Sequence, residues 1–193
     1  MTTRLSEHEK QLLSDVASAA LIKAARENTL LRVDHREYPE ALQEHRPTFV
    51  TLKKDGQLRG CIGVTAPCRP LIVDVAENAF SAAMYDTRFL PLAEDELPGL
   101  NFHISILSDS EEIKFEDQSD LLSKLRPGID GVTIEEGNIR ASFLPVMWER
   151  FSGPEELLMN LKVKAGLPPN YWSDTIRAYR YIMEDECSGT VNV

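Results

Sequence analysis

Residues 48–64 read TFVTLKKDGQLRGCIGV, and this stretch decides the fold prediction. β-Branched and apolar residues on either side of a KKDG turn are typical of a β-hairpin. Side chains alternate between the two faces of a strand, so Leu58 and Ile62 share one face and Arg59 and Cys61 share the other. We therefore expect Leu58 and Ile62 to be buried against helices that cover the apolar face of the sheet.

The segments on either side of this hairpin alternate between helical and strand patterns. Residues 71–84 repeat apolar positions at helical spacing, and an earlier helix can be capped by Ser6 with Glu9 completing a capping box. Further short helices are predicted at 120–125 and from 154, and further strands at 102–106, 132–144 and 176–183. Hairpins with interspersed helices predict an α+β fold, a mainly antiparallel sheet flanked by helices.

Length and composition set limits on the class of protein. The chain has 193 residues, of which 42% are hydrophobic and 27% charged, as in an ordinary globular protein. With no repeat or long linker, we expect a single domain over residues 1–193, with a core of about 10–186 and short polar termini.

Charge and cysteine content exclude several partners. The chain carries 31 acidic and 21 basic residues, a net charge of -10, which disfavours non-specific nucleic-acid binding. No apolar stretch approaches the ~20 residues that span a bilayer, so we expect no membrane partner. Only three cysteines occur, which argues against a disulfide framework and predicts a cytoplasmic location.

The common metal and cofactor motifs do not occur in the sequence. It contains no Walker loop, dinucleotide-binding glycine motif, H-E-x-x-H or C-x-x-C. The spacing of Cys61 and Cys68 fits no zinc ribbon or finger, and the histidines show no helical pairing that would form a metal face. We therefore expect no tight metal site and predict no cofactor.

The segment Leu58–Gly63, LRGCIG, is the strongest candidate for chemistry. A guanidinium beside a thiol favours the thiolate, so Arg59 can activate Cys61, and Gly60 and Gly63 let a helix, loop or ligand approach the strand. The alternative is structural, because buried free cysteines are commonly core residues and strand glycines often mark bulges. The G-x-x-G spacing also matches the loop of KH domains, but that loop joins helices, whereas the flanks here are strand-like.

This hexapeptide resembles the hallmark of the AMMECR domain family, also called component A of the AmmeMemoRadiSam system. The resemblance extends over roughly residues 10–186. In chain order, the other stretches that resemble family motifs are FVTL at 49–52, DTRF at 86–89, ISILS at 104–108, FLPV at 143–146 and KAGL at 164–167. The chain departs from the family pattern at Thr87, where proline is common, and at Lys162, where cysteine is common. The second departure weakens any mechanism that needs a cysteine there.

The resemblance implies a fold more than an activity. It implies an α+β protein with a larger lobe and a smaller lobe packed against it, of unestablished biochemical function. It further implies a pathway shared with a Memo-like protein and a radical S-adenosylmethionine (SAM) protein as possible partners. Fold-level analogy supplies no mechanism for this chain.

Two functional hypotheses therefore stay open. In the first, the protein is a binding or regulatory component whose site receives a small molecule or a peptide. In the second, it is an enzyme, or the catalytic partner of one, with Cys61 as nucleophile or redox thiol and His103 as candidate base. The competing interpretation of His103 is an exposed strand histidine.

We predict that the ligand site is composite. Arg59, Gly60, Cys61 and Gly63 from the hairpin should meet Asp86, Arg88 and Phe89 from the loop that follows the helix at 71–84. A 14-residue helix spans ~20 Å, enough to return the chain to the hairpin. Phe89 would anchor the loop by burial, and Asp86 would pair with a guanidinium, either Arg88 or Arg59. The competing interpretation of Asp86 and Arg88 is an ion pair that only fixes the loop.

Overall fold

The computed structural model describes residues 4–191 and divides the chain into two compact units. The first unit contains the described residues up to Asp109 and those from Glu184 onward, and the second contains Ser110–Met183. Each unit has its own sheet and its own apolar core. The predicted polar termini include residues 1–3 and 192–193, which lie outside the described residues.

The first unit contains the hairpin predicted from residues 48–64. Its sheet has the strand order β2-β1-β3-β8, with β1 antiparallel to both β2 and β3. The elements are α1 (Glu7–Glu27), α2 (Glu40–Gln43), β1 (Thr48–Lys54), β2 (Gln57–Gly63), α3 (Leu71–Met84), β3 (Asn101–Leu107) and β8 (Met183–Thr190).

Two helices cover the apolar face of this sheet. α1 begins at the predicted capping box, in which the Ser6 side chain accepts from the Glu9 backbone and the Glu9 carboxylate accepts from the Ser6 backbone. α3 packs against both α1 and β1. One apolar cluster joins the buried faces of these elements, among them Leu21, Val50 and Ile104. This core fixes the position of the hairpin.

The second unit is a smaller α+β layer. Its sheet has the order β4-β7-β5-β6, and all three neighbouring pairs are antiparallel. The elements are β4 (Glu111–Ile113), α4 (Gln118–Lys124), β5 (Gly131–Glu136), β6 (Ile139–Phe143), α5 (Pro154–Lys164) and β7 (Arg177–Tyr181).

The α+β prediction, with antiparallel pairs flanked by helices, is confirmed, and the two units differ in size as the resemblance implied. Two strands were not predicted. β4 has only three residues, and β8 directs Asp185, Cys187 and Gly189 inward, so neither shows an apolar alternation. β8 continues to Thr190, beyond the predicted core limit at about 186.

Candidate functional site

The register of the hairpin contains an irregularity beside the LRGCIG motif. Leu52 faces Gly60 and Lys53 faces Leu58, so Arg59 is an extra residue on β2, a β-bulge. The bulge moves Leu58 to the same face as Lys53, where it is 39% exposed. The prediction that Leu58 is buried is therefore wrong, because strict alternation fails at Arg59. Ile62, beyond the bulge, lies on the predicted face and packs against the core, but it is half-buried and not fully buried.

Both glycines of the motif lie against the chain itself. A Cβ on Gly60 would stand 2.3 Å from the backbone oxygen of Ala82, so glycine here allows α3 to pack closely on β2. A Cβ on Gly63 would stand 2.2 Å from the Thr48 oxygen and 2.4 Å from the Phe49 ring. The structure gives both glycines a packing role, and their part in ligand binding stays a prediction.

The two segments of the predicted composite site meet at Cys61. The Cys61 backbone N–H donates to the Asp86 carboxylate at 2.8 Å. The Arg88 guanidinium donates to the Cys61 carbonyl at 3.4 Å. α3 returns the chain to the hairpin as its length predicted, so the juxtaposition is observed.

Arg88 is the guanidinium that pairs with Asp86. Its Nε and Nη2 donate to the two carboxylate oxygens of Asp86 at 2.9 and 2.6 Å. Asp86 is 8% exposed, and the Arg88 guanidinium, followed by the Cys61 and Arg88 backbone donors, lowers the pKa of its carboxyl to about 2. The loop thus carries an ionised carboxylate, held by four donors, at the side of β2.

Arg59 pairs instead with Glu96, which the sequence analysis did not identify. Its Nε and Nη2 donate to the Glu96 carboxylate at 2.6 and 2.9 Å, and Nη2 also donates to the Leu90 carbonyl at 3.0 Å. The pairing raises the pKa of Arg59 and lowers that of Glu96. Arg59 Nη1 is buried without a hydrogen-bond partner among residues 4–191. The Nε and Nη2 edge of the Arg59 guanidinium is thus already hydrogen-bonded within the chain.

Both of these arginines lie close to the Phe89 ring. The guanidinium carbons of Arg59 and Arg88 are each 5.6 Å from the centroid of the Phe89 ring, within the range of cation–π attraction. The ring is half-buried, so the expected anchoring by burial is supplemented by the two cations. The following residue, Leu90, is 83% exposed. The loop is thus held at its centre and directs an apolar side chain into solvent.

The thiol of Cys61 lies on the face of the sheet opposite the helices. It is half-buried, and its Sγ is 3.2 Å from the hydroxyl oxygen of Thr51, the residue that faces it on β1. His103 lies on β3 and faces Thr51 from the other side, so β1 separates it from Cys61. The His103 Nε2 is 3.2 Å from a carboxylate oxygen of Glu186. The structure therefore places Thr51, and not His103, next to the thiol.

The other cysteines differ from Cys61 in exposure. Cys68 is exposed, and Cys187 packs against the apolar core. Burial raises the pKa of the Cys187 thiol to about 11. These two residues are internal references for the reactivity of Cys61.

The second unit contains a separate groove of about 290 Å³, lined by residues 112–116 and most of 172–177. Phe115 and Trp172 meet there with ring centroids 5.7 Å apart. Lys162, at the position where the resemblance implied cysteine, is 1% exposed and its ammonium lies 5.2 Å from the centroid of the Trp172 ring. The ammonium donates to the Gln118 side chain at 2.8 Å, and burial lowers the pKa of this lysine. None of the predicted site residues lines this groove.

The described part of the chain shows neither a cluster of metal ligands nor a membrane-spanning helix. Within residues 4–191, no three or more His, Cys, Asp or Glu side chains are arranged to hold a metal ion. Over the same residues, no helix combines the length and the apolarity needed to cross a bilayer.

Comparison with known proteins identifies the family. The AMMECR1 family model matches residues 14–185. A protein of Methanothermobacter thermautotrophicus is 38% identical over 179 residues, which are 92% of this chain and 93% of that protein. Protein MJ0810 of Methanocaldococcus jannaschii is 40% identical over 148 residues, 75% and 74% of the two chains. The crystal structure of uncharacterized protein PH0010 from Pyrococcus horikoshii has a TM-score of 0.84 at 28% identity, covering 93% of this chain and 91% of that one. Matched over most of its length by the family model, the chain belongs to the AMMECR1 family.

Proposed function

We propose that this protein is a binding or regulatory component of a pathway shared with a Memo-like protein and a radical SAM protein. The main supporting observation is that the charged side chains of the composite site form ion pairs within the chain, Arg59 with Glu96 and Arg88 with Asp86. An arginine already paired through two nitrogens is a weaker receptor for an anionic substrate. The site has the character of a rigid surface.

The loop at 86–91 is the part of this surface that we assign to the partner. Its backbone is held by Asp86 and by the Arg59 contact to the Leu90 carbonyl, while the Leu90 side chain is 83% exposed. Tyr85, at the start of the loop, is 63% exposed. Apolar side chains on a pre-organised loop bind a complementary pocket at a low entropic cost. The occupant is a peptide segment of a partner protein or a small apolar molecule.

We also propose that both units act as one AMMECR-like domain, because the family model runs from 14 to 185 and includes residues of each. A cytoplasmic location is supported by the three cysteines, all of them free thiols.

Binding to purified partners tests the proposal. The Memo-like and radical SAM proteins of the same organism are titrated separately into the chain by calorimetry. We expect Leu90→Asp to weaken the complex at least about tenfold, because it places a charge in an apolar contact. Val163→Asp is the matched control, since Val163 is 54% exposed on α5 in the second unit, and it should change the affinity less than about twofold. Absence of binding to both proteins, or equal losses in both variants, would overturn the proposal.

The enzyme hypothesis rests on one observation, the half-buried Cys61 thiol beside the Thr51 hydroxyl. Thiol labelling near neutral pH separates it from the binding hypothesis, because the thiolate is the reacting species. A catalytic Cys61 should react faster than the exposed Cys68, whereas a Cys61 that only packs should react more slowly. The buried Cys187 sets the lower limit of the scale.

A further inference from the structure

β2 is an edge strand of the first sheet, and at Cys61 its outer side has no neighbouring strand among residues 4–191. The strand order ends at β2, and the Val64 N–H donates to the Thr48 carbonyl. In an antiparallel ladder, hydrogen-bonded and non-hydrogen-bonded residue pairs alternate. Thr48 and Val64 are a hydrogen-bonded pair, and Thr51 and Cys61 lie three positions further along, so they are a non-hydrogen-bonded pair. The N–H and C=O of Cys61 therefore point away from β1, to the side where another strand could add.

Asp86 and Arg88 occupy that position. The Asp86 carboxylate accepts the Cys61 N–H at 2.8 Å, and the Arg88 guanidinium donates to the Cys61 C=O at 3.4 Å. An adjacent strand would offer the same pair of groups, a carbonyl acceptor and an N–H donor. The ion pair thus satisfies the edge with side chains in place of a strand.

Other features of this edge act in the same direction. The bulge at Arg59 interrupts the strand, and bulges and charged side chains are the means by which natural proteins prevent edge-to-edge association. Arg59 itself is fixed across the neighbouring loop by its contacts to Glu96 and the Leu90 carbonyl.

We propose that the Asp86–Arg88 pair is an edge cap that prevents β2 from pairing with β2 of a second copy of this chain. We expect the strand that would pair with an uncapped β2 to come from a second copy of the chain. Two β2 edges can pair antiparallel about a twofold axis, and this arrangement closes as a dimer. The cap acts through the backbone of Cys61, whereas the partner surface is presented by the Leu90 side chain, so Leu90→Asp leaves both contacts of the cap in place.

The chain offers a matched pair of variants. Asp86→Ala/Arg88→Ala removes the cap and leaves the net charge unchanged. Asp34→Ala/Arg36→Ala removes the same local ion pair from a segment in which no described strand lies, also without a change in net charge. Sedimentation velocity over a range of concentrations compares both variants with the wild type. We expect a concentration-dependent, roughly twofold rise in mass for the uncapped variant only.

Hydrogen exchange of the Cys61 amide supplies a second readout. Loss of the Asp86 acceptor should speed exchange at low concentration, and strand pairing should slow it again at high concentration. Faster exchange with the wild-type mass at every concentration would overturn the proposal, as would self-association of both variants. Should the double variant fail to fold, Arg88→Ala decides alone, since it frees the Cys61 carbonyl while the Asp86 carboxylate keeps two backbone donors, the N–H groups of Cys61 and of residue 88. We then expect a smaller rise in mass, and none would contradict the cap.

Discussion

The chain contains the same local motif twice, Asp34-His35-Arg36 and Asp86-Thr87-Arg88. In each, the arginine backbone N–H and Nε donate to one carboxylate oxygen and Nη2 donates to the other, with Nη2 distances of 2.6 Å in both. Each arginine, through its side chain first, lowers the pKa of its aspartate to about 2. By local geometry the two motifs are equivalent.

Their surroundings differ. The Asp34 side chain is 40% exposed and the Asp86 side chain 6%. Asp86 also accepts the Cys61 N–H, and Arg88 donates to the Cys61 carbonyl, a contact between residues 27 positions apart. An exposed ion pair contributes little to stability, whereas a buried carboxylate that loses its partner is costly. The comparison shows that the long-range contact to β2, and not the ion pair itself, distinguishes the candidate site.

The largest expected effect comes from Gly60→Ala, which separates β2 from α3 and so moves Cys61 away from Asp86. The new Cβ would stand 2.3 Å from the Ala82 backbone oxygen, and a backbone atom cannot yield as a flexible side chain does. We expect a loss of more than about 3 kcal/mol in the free energy of unfolding, or failure to fold, measured with urea. Gly153→Ala is the control, because no atom lies within 4 Å of its Cβ position and it should cost less than about 1 kcal/mol. Equal losses would mean that the close approach of α3 is not limiting.

The next effect compares Asp86→Ala with Asp34→Ala. The first leaves the part-buried Cys61 N–H without its acceptor and releases the half-exposed Arg88 guanidinium, at an expected cost of about 2–3 kcal/mol. The second removes an exposed pair and should leave the urea midpoint close to that of the wild type. Urea denaturation of both variants in one buffer measures the difference. A cost for Asp34→Ala that matches Asp86→Ala would contradict the role given to the β2 contact.

Sequence patterns predicted the elements of this site better than its partners. The hairpin, the helix at 71–84 and the meeting of residues 59–63 with 86–89 follow from periodicity and from helix length. The two Asp-x-Arg motifs look the same in sequence. They differ only in the fold, where one of them lies beside β2 at the edge of the sheet. Strand order is a property of the whole unit, and nothing local reveals it.

The contacts and exposures that the sequence did not predict have a similar cause. Glu96 lies 37 positions from Arg59, and no local pattern marks it as the partner. Leu58 was misplaced by the bulge, a single extra residue that reverses the faces of the strand before it. Thr51 was not expected beside the thiol because cross-strand neighbours depend on register.

The pH dependence of stability should follow Asp86. Its pKa falls from 3.8 to about 2 in the folded chain, so the ion pair stabilises fully above about pH 4 and is lost as the pH falls toward 2. The difference in the free energy of unfolding between wild type and Asp86→Ala should therefore shrink by about 2 kcal/mol over that interval. At high salt this dependence should persist for Asp86 and largely vanish for the exposed Asp34. Equal sensitivity of the two to salt would indicate that Asp86 is solvated like Asp34.

The smallest expected effect comes from Arg88→Lys against Arg36→Lys. Lysine keeps the positive charge but replaces the planar fork by a single nitrogen, so it cannot reproduce the paired Nε and Nη2 contacts to the two oxygens of Asp86. It also offers the Phe89 ring a smaller and more strongly hydrated cation than the guanidinium. We expect a loss of about 1 kcal/mol for Arg88→Lys. Arg36→Lys should leave the urea midpoint close to that of the wild type, because Arg36 is 77% exposed and has no contact to a strand among its hydrogen bonds. Urea midpoints at constant m-value resolve the difference. If the two losses are the same, the Cys61 carbonyl contact contributes nothing measurable to stability, which would contradict the part given to Arg88 in the edge cap.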